Sequence, residues 1–186
     1  MFPDNPNTEL YTLGKGVLQI AKWSGGAPGE YRDVGNCPKF EAEIAVEKLS
    51  HYGSRSGAKS KDKTATIERG YTINFDLDEK SAKNLAMFLM GEQDGNTIHA
   101  LTQTDAEYAV KFKADNPVGP NDIWEFWRSN ISPGGAVSLI SDEWLTMSYK
   151  GEGLSDVANH PSSPYFDVTG TTTTTTTTSS TSSTTS

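Results

Sequence analysis

The 186-residue chain has one cysteine, Cys37, so no disulfide can form within it. Its fold must rest on a buried core, a pattern that suits a reducing cytoplasm. Histidine is also scarce. His51, His99 and His160 stand far apart, and none shares metal-ligand spacing with another histidine or with the cysteine. The chain has no Walker loop, no GxSxG elbow, no HExxH and no paired CxxC. No enzyme class is therefore signalled, and neither a metal nor a cofactor is expected. No apolar run is long enough for a membrane span, and the opening MFPDNPNTELYTLG lacks the basic-then-apolar order of a secretion signal. Basic charge is in deficit too. Lys and Arg number 16 against 24 Asp and Glu, a formal net charge of −8, which argues against a protein that grips nucleic acid by neutralising phosphates.

What is present divides into three parts. Residues 1–13 are polar and turn-rich, with Pro3 and Pro6, and read as an extended N-terminal arm that stays disordered until something holds it. Residues 14–169 have the size and apolar content of one domain. Residues 170–186 are a Thr/Ser-rich low-complexity tail with no charge and no large apolar side chain, so they cannot offset their own ordering entropy.

The most informative stretch is 40–91. In FEAEIAVE, Phe40, Ala42, Ile44 and Val46 alternate with Glu41, Glu43, Ala45 and Glu47, which predicts a half-buried strand with an acidic outer face. The alternation returns with Ala65, Ile67, Tyr71, Ile73, Phe75 and Leu77 inward and Thr64, Thr66, Glu68, Thr72, Asn74 and Asp76 outward. Gly70 is a candidate bulge in that long strand. Between the two lies LSHYGSRSGAKSKDK, read as a long basic loop with Arg55, Lys59, Lys61 and Lys63 against Asp62. After Asp76 the period changes to that of a helix, with Ala82, Leu85, Ala86 and Leu89 on one side, Asp78 as N-cap and Gly91 just past the end.

Shorter strands surround this stretch. GKGVLQIAKW precedes it, with Leu18 and Ile20 on one face. EYAVKFK, DIWEFWRSNI, a strand carrying Leu145, Met147 and Tyr149, and a last one in SSPYFDVTG follow it. DIWEFWRSNI is apolar on both faces, so one face must meet either another part of the domain or another subunit. Six to eight strands and one helix make a mainly β (α+β) domain.

The carboxylates Glu41 and Glu43 invite an acid/base reading, but an i, i+2 pair on a strand is more often a charged surface. Trp23, Trp124, Trp127 and Trp144 could make a sugar-stacking platform, so a carbohydrate-binding or adhesin-type β module with a Thr/Ser linker is the alternative function. A hydrolase assembled from the many serines has no local signature to support it.

The order of GKGVLQIAKW, GEYRDVGNCPKFEAEIAVEKLSHYGSRSGAKSKDK, TINFDLDEKSAKNLAMFLMG, GAVSLISDEWLTMSYKGEGL and SPYFDVTG resembles the major tail tube proteins of long-tailed, siphovirus-type bacteriophages. The resemblance implies a structural virion protein with a β-sandwich or barrel core, one flanking helix and a long hairpin loop. It implies hexameric rings stacked into a tube, assembly in the host bacterial cytoplasm, and contacts with the tape measure protein and with tail-end or baseplate proteins. DNA would pass through without specific binding. Carried onto this chain, Tyr52, Arg55, Lys59, Lys61 and Lys63 would face a neighbouring subunit; the alternation puts Glu41, Glu43, Glu47 and Glu68 in one row, which in such a tube would line the lumen and otherwise faces bulk solvent. Physical reasoning is compatible with this. A ring needs two different complementary surfaces on each subunit, and a basic loop on an acidic body supplies such a pair. Four inner strands from each of six subunits, spaced about 4.8 Å and tilted about 40°, would enclose roughly 48 Å, enough for a duplex to thread.

Overall fold

The computed structural model describes residues 8–54 and 57–171. A 3-10 turn at Thr8–Leu10 leads into β1 (Gly16–Ser24), β2 (Ala27–Pro28), β3 (Arg32–Asp33), β4 (Lys39–Gly53) and β5 (Ser60–Leu77). Then come α1 (Ala82–Phe88), β6 (Glu92–Asp94), β7 (Thr97–His99), β8 (Glu107–Ala114), β9 (Asn121–Pro133), β10 (Met147–Gly153) and β11 (Phe166–Thr171). One antiparallel sheet runs β2-β1-β8-β9-β10-β5-β4, with β3 added to β1 and β11 to β9, while β6 and β7 pair separately. The fold is mainly β with one flanking helix, as the period-2 alternation predicts.

The sheet curls on itself. Phe40 of β4 stacks on Phe112 of β8 at 5.4 Å and meets Phe126 of β9 edge-on at 6.0 Å, although β9, β10 and β5 separate β8 from β4 in the sheet order. One buried cluster results, with Leu18 and Ile20 from β1, Tyr71, Ile73, Phe75 and Leu77 from β5, Val110 from β8, Phe126 and Ile131 from β9, and Met147 and Tyr149 from β10. Phe75 and Tyr149 are directly opposed across β5 and β10 and stack at 4.8 Å. Such a pair adds about 0.5–1.5 kcal/mol beyond the area it buries.

The helix is shorter than its sequence period suggests, and its start is elsewhere. Ser81, not Asp78, is the N-cap, with Oγ accepting from the Asn84 backbone N–H at 3.2 Å, while Asp78 takes the Asn36 amide. Asn84 is fully buried and acts as a polar rivet. Its Nδ2 donates to the carbonyls of Val34 and Glu79, its Oδ1 accepts from Arg32, and its backbone carbonyl accepts from the Tyr149 hydroxyl. At the other end Met90 takes the left-handed conformation (φ 46). Gly91 is needed for a different reason: a Cβ there would lie 2.3 Å from the His99 carbonyl.

Three further details bear on the sequence reading. The two-faced apolarity of β9 is resolved largely inside the chain: Phe126 and Ile131 are buried, Trp127 stacks flat on His160 at 3.7 Å, and its Nε1 donates to the Ser163 carbonyl. At the C-terminal end β11 pairs with β9 through Thr171↔Asn121, so backbone pairing carries Gly170 and Thr171, the first residues of the Thr/Ser tail, into the sheet. Part of the N-terminal arm is held, with the Leu13 N–H donating to the Val118 carbonyl. Residues 1–7 and the rest of the Thr/Ser tail lie outside the described residues.

Candidate assembly surface

In the helix of the 40–91 stretch Leu85, Ala86 and Leu89 face the core, but in its two strands the inward reading holds only for β5 between Tyr71 and Leu77 and for Phe40. Beyond that level the hairpin leaves the body. β10 reaches along β5 only as far as Thr72, opposite Glu152. From Ile44 to Gly53, β4 pairs with β5 alone, and β4 is an edge strand throughout. Ten residues of strand at about 3.3 Å each make an arm roughly 30 Å long. Both its outer edges carry unpaired backbone groups, and almost all its side chains on both faces are exposed, including Ile44, Val46, Leu49, Tyr52 and Ile67. The half-buried strand expected here is thus not covered within one chain. Alternation reveals which residues share a face but not whether anything lies against that face.

The basic loop is also corrected. Pairing continues through Tyr52↔Lys61 to Gly53↔Ser60, so the strands extend into the stretch expected to be loop and only residues 54–59 lie between them. Tyr52 lies in β4, Lys61 and Lys63 lie in β5 opposite Tyr52 and His51, and Lys59 directly precedes β5. Arg55 lies outside the described residues. Asp62 is occupied by His51, whose Nδ1 is 2.6 Å from its carboxylate, and Lys59, Lys61 and Lys63 form no ion pair among the described residues. The described end of the arm therefore carries three ammonium groups without an ion-pair partner among the described residues, with Lys61 and Lys63 on opposite faces of the ribbon.

Glu41, Glu43, Glu47 and Glu68 are brought together on one face. Glu41 lies opposite Asn74, Glu43 opposite Thr72, and Glu47 directly opposite Glu68. Like charges in direct opposition destabilise a strand pair, by an amount of the order of the 0.2–1 kcal/mol that favourable pairs contribute. Toward the body the row is less purely acidic, because Lys39 pairs with Glu41 at 3.0 Å, while Lys150 of β10, opposite Asn74, is matched by Glu152 at 2.8 Å. The register slips between Glu47 and Lys48, leaving Ile67 unpaired in the ladder, and again between His51 and Tyr52, leaving Asp62 unpaired there. The bulge is therefore beside Ile67 and not at Gly70, which pairs regularly with Ala45. It also moves Ala65 opposite Leu49, on the side of Glu47 rather than with the core residues of β5.

The body, by contrast, is internally satisfied. Every buried side-chain polar atom described has a partner. Arg128 grips Glu107 bidentately at 2.5 and 2.8 Å, which raises the Arg128 pKa. Tyr71 donates to the Arg128 carbonyl at 2.9 Å and shares a hydrogen bond with Ser129, yet burial still pushes its phenol up to about 12. Burial likewise raises the Tyr149 phenol and pushes the Cys37 thiol up to about 11. The tryptophans form no common platform. Trp124 stacks on Phe126 and Phe166, Trp127 on His160, Trp23 faces Arg128, and Trp144 projects into solvent.

Asn84 was not singled out by sequence reasoning, because a lone amide between Lys83 and Leu85 carries no pattern signal, whereas 136–144 reads from the sequence as a short apolar segment and an acidic turn whose exposure only the structure shows. The family described as Protein of unknown function UCP028589 matches residues 11–97, a span that includes β1, the arm and α1. No curated protein matches the chain.

Proposed function

We propose that this chain is a structural protein that assembles with copies of itself into hexameric rings, and that these rings stack into the tube of a bacteriophage tail through which genome DNA is delivered. The observation that carries the reading is the arm. A two-stranded ribbon with open edges and several exposed large apolar side chains is marginal in water by itself and is a template for pairing with another chain. Self-association covers it without requiring a second gene product. Its basic tip and acidic flank are different surfaces on one chain, as a head-to-tail ring requires. The ring number, the virion setting and the tape measure and tail-end partners come from the resemblance in the sequence.

In this arrangement the glutamate face of the arm turns toward the channel. Glu41, Glu43, Glu47 and Glu68 repeated around a ring repel phosphates, so DNA slides instead of binding. Lys39, paired with Glu41 at the body end, softens that repulsion. Negative-stain electron microscopy of the purified full chain tests the reading. Rings or tubes are expected. A stable monomer at all concentrations would overturn it, and glycan binding by that monomer would favour the carbohydrate-binding alternative.

A further inference from the structure

A second unsatisfied surface lies away from the arm, in the loop that joins β9 to β10. Ile140 is 97% exposed, Trp144 95% and Leu139 77%, the three highest values among the large apolar side chains described. Asp142 and Glu143 stand between Ile140 and Trp144, and neither has an ion-pair partner among the described residues. The loop is not a free tether. Val137 and Leu145 at its two ends pack against the core, and the Ser141 hydroxyl oxygen accepts the Glu143 N–H at 2.9 Å. It is a shaped protrusion, apolar and acidic, that loses little freedom on docking.

The same chain carries a matching recess. Between α1 and β1 lies a cleft of about 260 Å³ with Ile20, Met87 and Tyr108 in its wall and Lys22, Arg32 and Lys83 around it. Glu30 and Glu92 also line it, leaving three cations against two carboxylates on a chain whose net charge is −8. None of the three cations has a carboxylate partner among the described residues. Arg32 gives one N–H to Asn84 Oδ1 at 2.7 Å, and Lys22 reaches Gln103. The cleft is smaller than the roughly 300–1,000 Å³ of ligand pockets but suits one large side chain. No residue of the 139–144 loop lines the cleft of its own chain.

We propose that the 139–144 loop of one copy docks into the α1–β1 cleft of a second copy, with Trp144 seated on the apolar wall and Asp142 and Glu143 against Lys22, Arg32 and Lys83. Aromatic anchors ringed by paired charges are the usual energetic centre of such contacts. Protrusion and recess are different patches, so in a head-to-tail arrangement each contact leaves one of each open and the contact propagates from copy to copy. It rests on the self-assembly reading and adds an interface independent of the arm.

A charge-swap cycle on the full chain tests it, with assembly followed by sedimentation velocity and electron microscopy and folding checked by circular dichroism. Asp142→Lys with Glu143→Lys, and separately Lys22→Glu with Lys83→Glu, should each raise the concentration needed for assembly about tenfold or more, and combining all four should restore it to within about threefold of wild type. Trp144→Ala should weaken assembly without altering any charge. Restoration of the loop variant by Lys59→Glu, Lys61→Glu and Lys63→Glu instead, or no restoration by either set, overturns the proposed pairing. If wild type assembles and the loop variants match it, the docking contact alone fails. A monomeric wild type removes the self-assembly reading as well.

Discussion

Replacing Ile44, Val46, Leu49 and Ile67 by serine together probes whether the arm is an interface. These side chains are 61%, 50%, 63% and 56% exposed in the single chain. Full burial of an aliphatic side chain contributes about 1.5–3 kcal/mol, so each has about 1–1.5 kcal/mol still to gain from a partner, and four give about 4–6 kcal/mol per arm. The entropic cost of association is the same for variant and wild type, so this loss passes directly into affinity. At about 1.4 kcal/mol per factor of ten, even the lower figure raises the concentration threshold for assembly about a thousandfold. Global stability should hardly change, because exposed substitutions usually stay within about 0.5 kcal/mol each. The assay is sedimentation velocity across a concentration series, paired with urea unfolding of the monomer. An unchanged threshold refutes the interface. A fall of more than about 2 kcal/mol in unfolding free energy refutes the premise that the arm stands clear of the core.

Serine at Lys59, Lys61 and Lys63 together with Arg55 should leave a folded monomer that polymerises poorly at low salt. Exposed pairs contribute only about 0–1 kcal/mol each, so the deficit should shrink toward wild type in about 1 M salt, where the Debye length is near 3 Å; light scattering showing normal tubes at low salt would count against the basic tip. Asn84→Leu should cost about 2–4 kcal/mol, because it leaves the Val34 and Glu79 carbonyls and the Arg32 guanidinium short of a partner, and a loss below about 1 kcal/mol in urea unfolding would remove Asn84 as the link between α1 and the sheet. Stability should fall in alkali. The Tyr71 phenol is held up at about 12 by burial, against about 10 in an unfolded chain, so the folded state keeps a proton that the unfolded state has released. The contribution is whole below pH 10 and disappears as pH rises to 12, about 2–3 kcal/mol from Tyr71, with Tyr149 acting in the same direction. Tyr71→Phe should flatten part of that slope in unfolding curves taken against pH.

The strands that enter the core were legible because burial on one face leaves a period of two. Leu18 and Ile20, Ile73, Phe75 and Leu77, and Met147 and Tyr149 all point inward as their alternation requires. The helix was legible as a change of period, but its cap was not, because Asp78 and Ser81 are both good capping residues and only the chain path from Leu77 selects between them. The basic residues were visible as a cluster, yet their place in strands depends on pairing with 48–53, which no local propensity reports.

The sequence by itself determined a disulfide-free, mainly β chain with one helix, an acidic face bearing Glu41, Glu43, Glu47 and Glu68, and a basic run that follows it. Only the tertiary structure decided how far the core extends. Alternation at Ala42, Ile44 and Val46 looks the same whether a strand is buried by its own chain or awaits another, since both need an apolar face. The curl that brings Phe40 onto Phe112 ends the core there, and the rest of the hairpin is left outside it. Likewise, the apolar residues Leu139 and Ile140 carry no sign in the sequence of whether they are sheltered, and the connection between β9 and β10 leaves both in solvent beside Trp144. Local sequence encodes which side chains prefer to leave water, and the packing of distant strands decides which of them one chain can shelter.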